Sequence, residues 1–133
     1  MTTPDTGLQL FSTVTDDGRL ELALKPVPVP APADDEVIIR VEATPINPSD
    51  LGLLFGAADL STLVLSGSAA EPVVTARIPD KLMKAMAGRI DQSLPVGNEG
   101  AGVVVKAGAS SAAQALLGRT VALIGGAMYA QYR

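Results

Sequence analysis

The chain has 133 residues, of which 47% are hydrophobic and 18% charged, and its formal net charge is −4. A chain of this length buries roughly 65% of its unfolded surface, which suffices for a single core. The ten basic residues form no stripe, which argues against a nucleic-acid partner. Cysteine and histidine are both absent, which removes disulfides, thiolate catalysis, the commonest metal ligand and the usual general base.

The amino-terminal region predicts neither a targeting signal nor a membrane anchor. Residues 1–18 contain Asp5, Asp16 and Asp17 and lack a basic start followed by a long apolar core. No uninterrupted apolar run in the chain approaches the length of about 20 residues that spans a bilayer. We therefore expect a soluble, cytoplasmic protein that has no membrane partner.

The first elements in chain order are two short alternating runs and a proline-rich stretch. The leucines of residues 8–10 and 20–24 alternate with other residues on either side of Asp16-Asp17-Gly18, which predicts a β-hairpin. Residues 25–32 place proline at every second position, which favours extended polyproline geometry. We interpret this stretch as a surface connector in preference to a ligand for a proline-binding domain.

Three further segments are typical of strands. Residues 36–43 alternate between an apolar face with Val37, Ile39, Val41 and Ala43 and a mostly polar face. Residues 103–106 lack alternation, which predicts a strand covered on both faces. Residues 120–124 form another apolar run, and we expect both of these last segments to be core strands.

Residues 56–94 differ in sequence pattern from the strand-like segments, and within them residues 79–91 are predicted to form an amphipathic helix. Pro79 suits a first helical turn, and Ile78, Leu82, Met86 and Ile90 recur at spacings of four. Gly88 costs about 1 kcal/mol relative to alanine, so the helix is expected to stop near it. Met83 and Met86 suit either a flexible substrate lid or, as we favour, core packing.

Two polar turns carry the residues of greatest chemical interest. The first is Ala43-Thr44-Pro45-Ile46-Asn47-Pro48-Ser49-Asp50, and the second is Pro95-Val96-Gly97-Asn98-Glu99-Gly100-Ala101-Gly102. Glycines at this density before a β-branched run predict a constrained turn whose backbone approaches something closely. Both turns follow or precede strand-like segments, and we expect them to meet and form one site.

Each of these residues also has a purely structural interpretation. Asn, Pro, Ser and Asp are all turn formers, so the first motif by itself predicts an ordinary turn. Asn98 is a residue that tolerates a left-handed backbone conformation. The Tyr129 ring suits either the substrate or, as we slightly favour, the core.

The two motifs resemble the N-terminal catalytic domain of the medium-chain dehydrogenase/reductase superfamily, specifically its zinc-free quinone oxidoreductase branch, over nearly the whole chain. Zinc alcohol dehydrogenases of that superfamily have a metal-binding cysteine where this chain has Asn47. They have a metal-binding histidine where this chain has Asn98, and residues 56–94 stand in place of their cysteine-rich lobe. The resemblance therefore implies an enzyme without zinc.

The fold implied by the resemblance is mainly β, a GroES-like, partly open β-barrel with one or two short helices. Short strands between proline and glycine turns also favour a β-rich barrel, without selecting this one. No strand is followed by Gly-x-Gly-x-x-Gly and a helix, and residues 126–132 resemble the segment that precedes the nucleotide-binding domain of the family. Residues 1–133 are thus interpreted as a catalytic, substrate-binding domain that is C-terminally incomplete and lacks its Rossmann domain.

The implied activity is NADPH-dependent reduction of a small-molecule substrate, a quinone or another activated carbonyl or enone compound, by hydride transfer. We expect this chain alone to be inactive and the full-length form to be a homodimer. The resemblance implies site residues in three roles: catalytic Asn47, Ser49 and Asn98; cofactor-binding Asn47, Pro48 and Tyr129; and supporting Asp50 and Glu99.

An alternative hypothesis is a stand-alone barrel that acts as a binding or assembly module through its strand edges. A carboxylate metal site is a weak third possibility, because Asp16-Asp17 and Asp34-Asp35 sit in turn-like segments without the periodic ligands of a calcium loop.

Overall fold

The computed structural model describes residues 3–133, which form eight strands and several short helices. The strands are β1 Thr6–Val14, β2 Arg19–Pro28, β3 Val37–Ala43, β4 Asp59–Gly67, β5 Pro72–Arg77, β6 Leu94–Pro95, β7 Glu99–Ala107 and β8 Thr120–Ile124. The α-helices are α1 Leu51–Leu54, α2 Asp80–Met83 and α3 Ser111–Leu116, and the 3₁₀ helices are Pro48–Asp50 and Lys84–Arg89. Within residues 3–133, no helix has the length and apolarity needed to cross a membrane.

The strands form a five-stranded sheet with the order β4-β5-β2-β1-β6 and a three-stranded sheet with the order β3-β7-β8. The predicted mainly β fold with short helices is confirmed, and the sheets do not close into a barrel. The described chain divides into two compact units, a first unit of residues 3–9, 26–45 and 97–133 and a second unit of residues 10–25 and 46–96. That residues 1–133 are one domain stays a prediction.

The first unit contains the three-stranded sheet and the end of the described chain. Strand β7 pairs antiparallel with β3 on one side and with β8 on the other. The last residues pair along the opposite side of β3, since Ile39 and Arg133 exchange backbone hydrogen bonds of 2.7 and 2.9 Å. Ile38, Ile39, Val104 and Met128 are buried here.

The second unit contains the predicted hairpin turn and a small apolar core. Strands β1 and β2 are neighbours joined at residues 15–18, where Gly18 has a positive φ of 83°. Val14, Leu20 and Ile78 are buried together, and Met83, Met86 and Ile90 pack against them. This contact supports the core interpretation of the two methionines over a substrate lid.

The predicted helix over residues 79–91 is shorter and less regular than expected. Helix α2 covers one α-helical turn, and the chain continues as the 3₁₀ helix Lys84–Arg89. Met83 packs against the core and Leu82 is 36% exposed, so the assignment of Leu82 to the apolar face is wrong. A tighter turn of three residues shifts the buried face relative to α-helical spacing.

Three details of the predicted strands also differ from the sequence pattern. Strand β3 has a register irregularity between Ile38 and Ile39, and both side chains are buried at 6% exposure, which breaks the predicted alternation. Strand β8 is an edge strand whose Ile124 is 91% exposed, so its prediction as a core strand is wrong. Strand β2 extends through Pro28, so the proline-rich stretch is only partly a connector.

Strands β4 and β5 were missed by the sequence analysis. They pair antiparallel with each other through a turn at residues 68–71, and β5 also pairs with β2. The clustered Leu and Val residues on both sides of Gly67-Ser68 are the signal that predicts such a hairpin.

Candidate active site

The first predicted site motif forms a compact turn in the second unit, the asparagine turn of residues 47–54. Asn47 caps a 3₁₀ helix that begins with Pro48, and α1 follows directly. The Asn47 N–H donates to Asp50 Oδ2 at 2.8 Å, and the Asp50 N–H donates to the Asn47 carbonyl at 2.9 Å. Asp50 is only 2% exposed, so its carboxylate is buried, and its supporting role stays a prediction.

The carbonyl end of the asparagine turn is held by two side chains that sequence analysis did not identify. The Ser12 hydroxyl donates to the Leu53 carbonyl at 2.6 Å. Arg89 donates from Nη1 to the Gly52 carbonyl at 3.1 Å and from Nη2 to Ser12 Oγ at 2.9 Å. An arginine within a predicted amphipathic helix and a serine within a strand carry no local signal for such a contact.

The Arg89 guanidinium has no carboxylate partner among residues 3–133. The two ion pairs in this range join Arg19 to Asp17 and Arg40 to Glu42. Arg89 Nε is buried and makes no hydrogen bond to a described residue, and burial lowers the pKa of this guanidinium. Its charge is therefore compensated by the carbonyl and hydroxyl dipoles that it contacts.

The second predicted motif is mostly strand, not turn, and its residues 97–102 lie in the first unit. We call residues 97–102 the glycine segment. Gly97 forms the turn with a positive φ of 99°, and β7 already begins at Glu99. Among residues 3–133 the non-glycine residues with positive φ are Asp91 and Ala127, so the left-handed conformation suggested for Asn98 is wrong.

The glycine segment is closely packed against neighbouring chain, as the glycine density predicted. A Cβ added to Gly97 would lie 2.6 Å from Tyr129 Cδ1, and one added to Gly100 would lie 2.8 Å from Met128 Cγ. A Cβ on Gly102 would overlap the Arg40 carbonyl oxygen. These glycines thus allow close contact within the protein itself.

Residues 125–129 complete this part of the first unit. The Gly125 N–H donates to the Asn98 carbonyl at 2.8 Å, and the Met128 N–H donates to the Gly97 carbonyl at 3.3 Å. The Tyr129 hydroxyl donates to the Pro45 carbonyl at 3.1 Å, which fixes the half-buried ring. A shallow cavity of about 190 Å³ lies between the end of β3 and residues 128–130.

The structure groups the predicted site residues by unit. Asn98, Glu99 and Tyr129 belong to the first unit, where residues 97–99 and 125–129 are in contact. Asn47, Pro48, Ser49 and Asp50 belong to the second unit, where they form one turn. Each set is brought together within its own unit, and the union of the two sets into one site stays a prediction.

A larger cavity of about 370 Å³ lies in the first unit away from these residues. Its lining comes from residues 27–30 and 36–38, the start of β1, Tyr132 and Arg133. The carboxylate of Glu36 is the acidic group in this lining. The volume suits a small molecule, but the lining includes none of the predicted catalytic or cofactor-binding residues.

Residues 3–133 differ from a typical metal site and from a typical dinucleotide site. Residues 3–133 contain no group of three acidic side chains placed to hold a metal ion. Most of the glycine segment is part of strand β7 and no helix follows it directly, so it lacks the helix N-terminus that binds a pyrophosphate. The predicted site residues carry amides, hydroxyls and the carboxylates of Asp50 and Glu99, and a binding role for them stays a prediction.

The chain is similar in fold to a solved structure. No family model and no curated protein matches the chain. Among solved structures, the chain is similar to the crystal structure of a proposed NADPH:quinone reductase from Mesorhizobium loti. The sequence identity is 23% and the TM-score is 0.55. The match covers 99% of this chain and 35% of that chain, and at this identity it shows a shared fold.

Proposed function

We propose that this chain is the catalytic, substrate-binding portion of an NADPH-dependent, zinc-independent oxidoreductase of the medium-chain dehydrogenase/reductase superfamily. Its substrates are quinones or related activated carbonyl and enone compounds, reduced by hydride transfer. The observation that carries the proposal is the fold match, which spans 99% of this chain and 35% of a protein assigned as an NADPH:quinone reductase. The remaining length of that protein is where the proposal places the nucleotide-binding domain.

The cofactor in this proposal supplies the hydride, and the residues of this chain supply the surroundings of the substrate. In this proposal Asn47, Pro48 and Tyr129 contact the nicotinamide, and the Tyr129 hydroxyl donates to the Pro45 carbonyl. The pyrophosphate is bound outside this chain, because the glycine segment runs into a strand. NADPH is thus held mainly by a domain that this chain does not contain.

Substrate activation rests on two neutral amides. Asn47 and Asn98 donate hydrogen bonds to the substrate oxygen as negative charge develops on it, an effect worth about 3 kcal/mol when the geometry is right. Ser49 is exposed and carries the hydroxyl that passes a proton to that oxygen. An amide does not match the Lewis acidity of zinc, so an acceptor that is already polarised, such as a quinone, is preferred over a simple alcohol.

The test begins with the natural reading frame after Arg133. A strand, Gly-x-Gly-x-x-Gly or a close variant and a helix within about fifty residues would provide the dinucleotide site. The longer protein is then mixed with NADPH and a quinone, and the loss of NADPH absorbance is followed with and without a metal chelator. We expect chelator-insensitive reduction, which Asn47→Ala slows about a hundredfold. A longer protein with a complete dinucleotide motif that reduces no quinone or enone contradicts the proposal.

A second candidate function is favoured by the exposed edge of the five-stranded sheet. Strand β4 has one neighbour, and its Leu60, Leu63, Val64 and Leu65 are 48 to 69% exposed. In this alternative the chain is an assembly module whose β4 edge pairs with a second copy. Light scattering tests it: a dimer that Leu65→Lys dissociates supports it, whereas a monomeric native chain excludes it.

A further inference from the structure

The strongest unassigned feature of the second unit is the contact between Arg89 and the asparagine turn. Helix α1 is a single turn, and helices this short have almost no intrinsic stability in water. The last carbonyls of any helix also lack partners within that helix. The asparagine turn must therefore be fixed by groups from elsewhere in the chain.

Three consecutive carbonyls at this end have identified donors. The Leu51 carbonyl accepts from the Phe55 and Gly56 N–H groups at 2.9 and 3.1 Å. The Gly52 carbonyl accepts from Arg89, and the Leu53 carbonyl accepts from Ser12. Only the contact at Leu51 is a local backbone contact. The other two connect the turn to Arg89, which is 37 positions from Gly52, and to Ser12, which is 41 positions from Leu53.

Arg89 and Ser12 act as one connected group. Ser12 is 0% exposed and its hydroxyl donates to Leu53 while it accepts from Arg89 Nη2. The planar guanidinium reaches Gly52 and Ser12 with two different nitrogens, a geometry that the single ammonium of lysine does not reproduce. Arg89 is partly buried, and its guanidinium is compensated by the Gly52 carbonyl and the Ser12 hydroxyl, so its charge-assisted hydrogen bonds act on one short turn.

We propose that Arg89 is a positioning residue, which together with Ser12 holds the carbonyl end of α1 and thereby fixes the turn that carries Asn47 and Ser49. The consequence for hydride transfer rests on the proposed function of those two residues. The structural part of the proposal does not rest on that function, because it concerns how firmly the conformation of residues 47–56 is held in this chain.

The structural part is tested by amide hydrogen exchange on the 133-residue chain. The Phe55 and Gly56 amides report closure of α1, and the amides of the β2 and β5 pairing report the surrounding sheet. In Arg89→Met we expect the Phe55 and Gly56 amides to exchange at least about tenfold faster, while the amides of the β2 and β5 pairing keep their exchange rates. Unchanged turn amides, or an equal acceleration at every amide, would overturn the proposal.

Matched variants distinguish the effect of the Arg89 and Ser12 hydrogen bonds from a general effect of charge or helix content. Lys84→Met removes an exposed cation from the same 3₁₀ helix and is expected to change neither set of amides. Ser12→Ala and Arg89→Lys each remove part of the connection and are expected to fall between Arg89→Met and the native chain. If Arg89→Met fails to fold, Ser12→Ala and Arg89→Lys provide the measurement instead. Native-like exchange of the Phe55 and Gly56 amides in both of these variants would overturn the proposal.

The functional part uses a longer form of the protein that oxidises NADPH. There Arg89→Met is expected to lower kcat/KM for the acceptor about tenfold, and to have a clearly smaller effect in an Asn47→Ala background, where only the part that acts through Ser49 remains, because residues that act as one unit are not additive. Full additivity would contradict action through Asn47. If no longer form is active, the proposed function fails while the exchange result on residues 47–56 still decides the role of Arg89.

Discussion

The asparagine turn and the glycine segment are held in place by opposite means. The glycine segment is fixed by the absence of side chains, because its backbone lies against Arg40, Met128 and Tyr129 at distances that leave no room for a Cβ. The asparagine turn is fixed by the presence of polar side chains, since Asp50 secures one end and Arg89 with Ser12 secures the other. The first arrangement is sensitive to added volume, and the second is sensitive to lost hydrogen bonds.

The largest expected effect is at the glycine segment. Gly102→Ala places a methyl group on the Arg40 carbonyl oxygen, and because both partners are backbone, strands β3 and β7 must separate. We expect a loss of about 3 kcal/mol in the free energy of unfolding, measured by urea titration.

Gly126→Ala is the matched control for this substitution. A Cβ at Gly126 meets no heavy atom within 4 Å, so its cost is expected to stay below about 0.5 kcal/mol. Equal losses for the two variants would show that glycine flexibility, and not the close approach of β3 and β7, explains the segment.

A smaller effect is expected at the asparagine turn. Asp50→Ala removes a buried acceptor and leaves the Asn47 N–H without that partner, so we expect a loss of about 2 kcal/mol by urea titration. Asp35→Ala, at an exposed aspartate, is the control and should change stability little. A native-like free energy of unfolding for Asp50→Ala would remove the distinction between the two segments.

The smallest effect is expected at the exposed turn of residues 15–18, which has the same kind of polar contacts without burial. Hydrogen bonds from Arg19 and then Thr15 lower the pKa of the Asp17 carboxyl, which is exposed. A lowered native pKa stabilises the folded state above the unfolded value of about 3.9 and loses that contribution as pH falls through the native pKa.

Asp17→Asn should therefore be slightly less stable than the native chain at neutral pH, and the difference should vanish in acid. Added salt should also reduce it, because exposed charges are screened. Thermal unfolding across this pH range provides the measurement. A difference that persists in acid would indicate a role for Asp17 other than its charge.

Much of the fold follows from local patterns. The hairpin at residues 15–18 and strands β3 and β7 were predicted because alternation and turn residues act over a few positions. The β4 and β5 hairpin was missed, although clustered Leu and Val residues around Gly67-Ser68 are a usable signal. The edge position of β8 was not predictable, because burial depends on which strand lies beside it.

The candidate site divides in the same way. The two motifs were recognisable because asparagine, proline and glycine restrict the backbone where they stand. The side chains that hold the asparagine turn were not recognisable, since Ser12 and Arg89 are 77 positions apart and contact a turn that is distant from both in sequence.

The sequence by itself determined the mainly β composition, the absence of cysteine and histidine chemistry, and the residue types in the two motifs, because these depend on single residues and short spacings. The tertiary structure alone decided that Gly102 lies against the Arg40 carbonyl, that Tyr129 bonds to Pro45, and that Arg89 holds the end of α1. Such contacts join residues tens of positions apart, and their free energy exists only after the chain has brought the partners together.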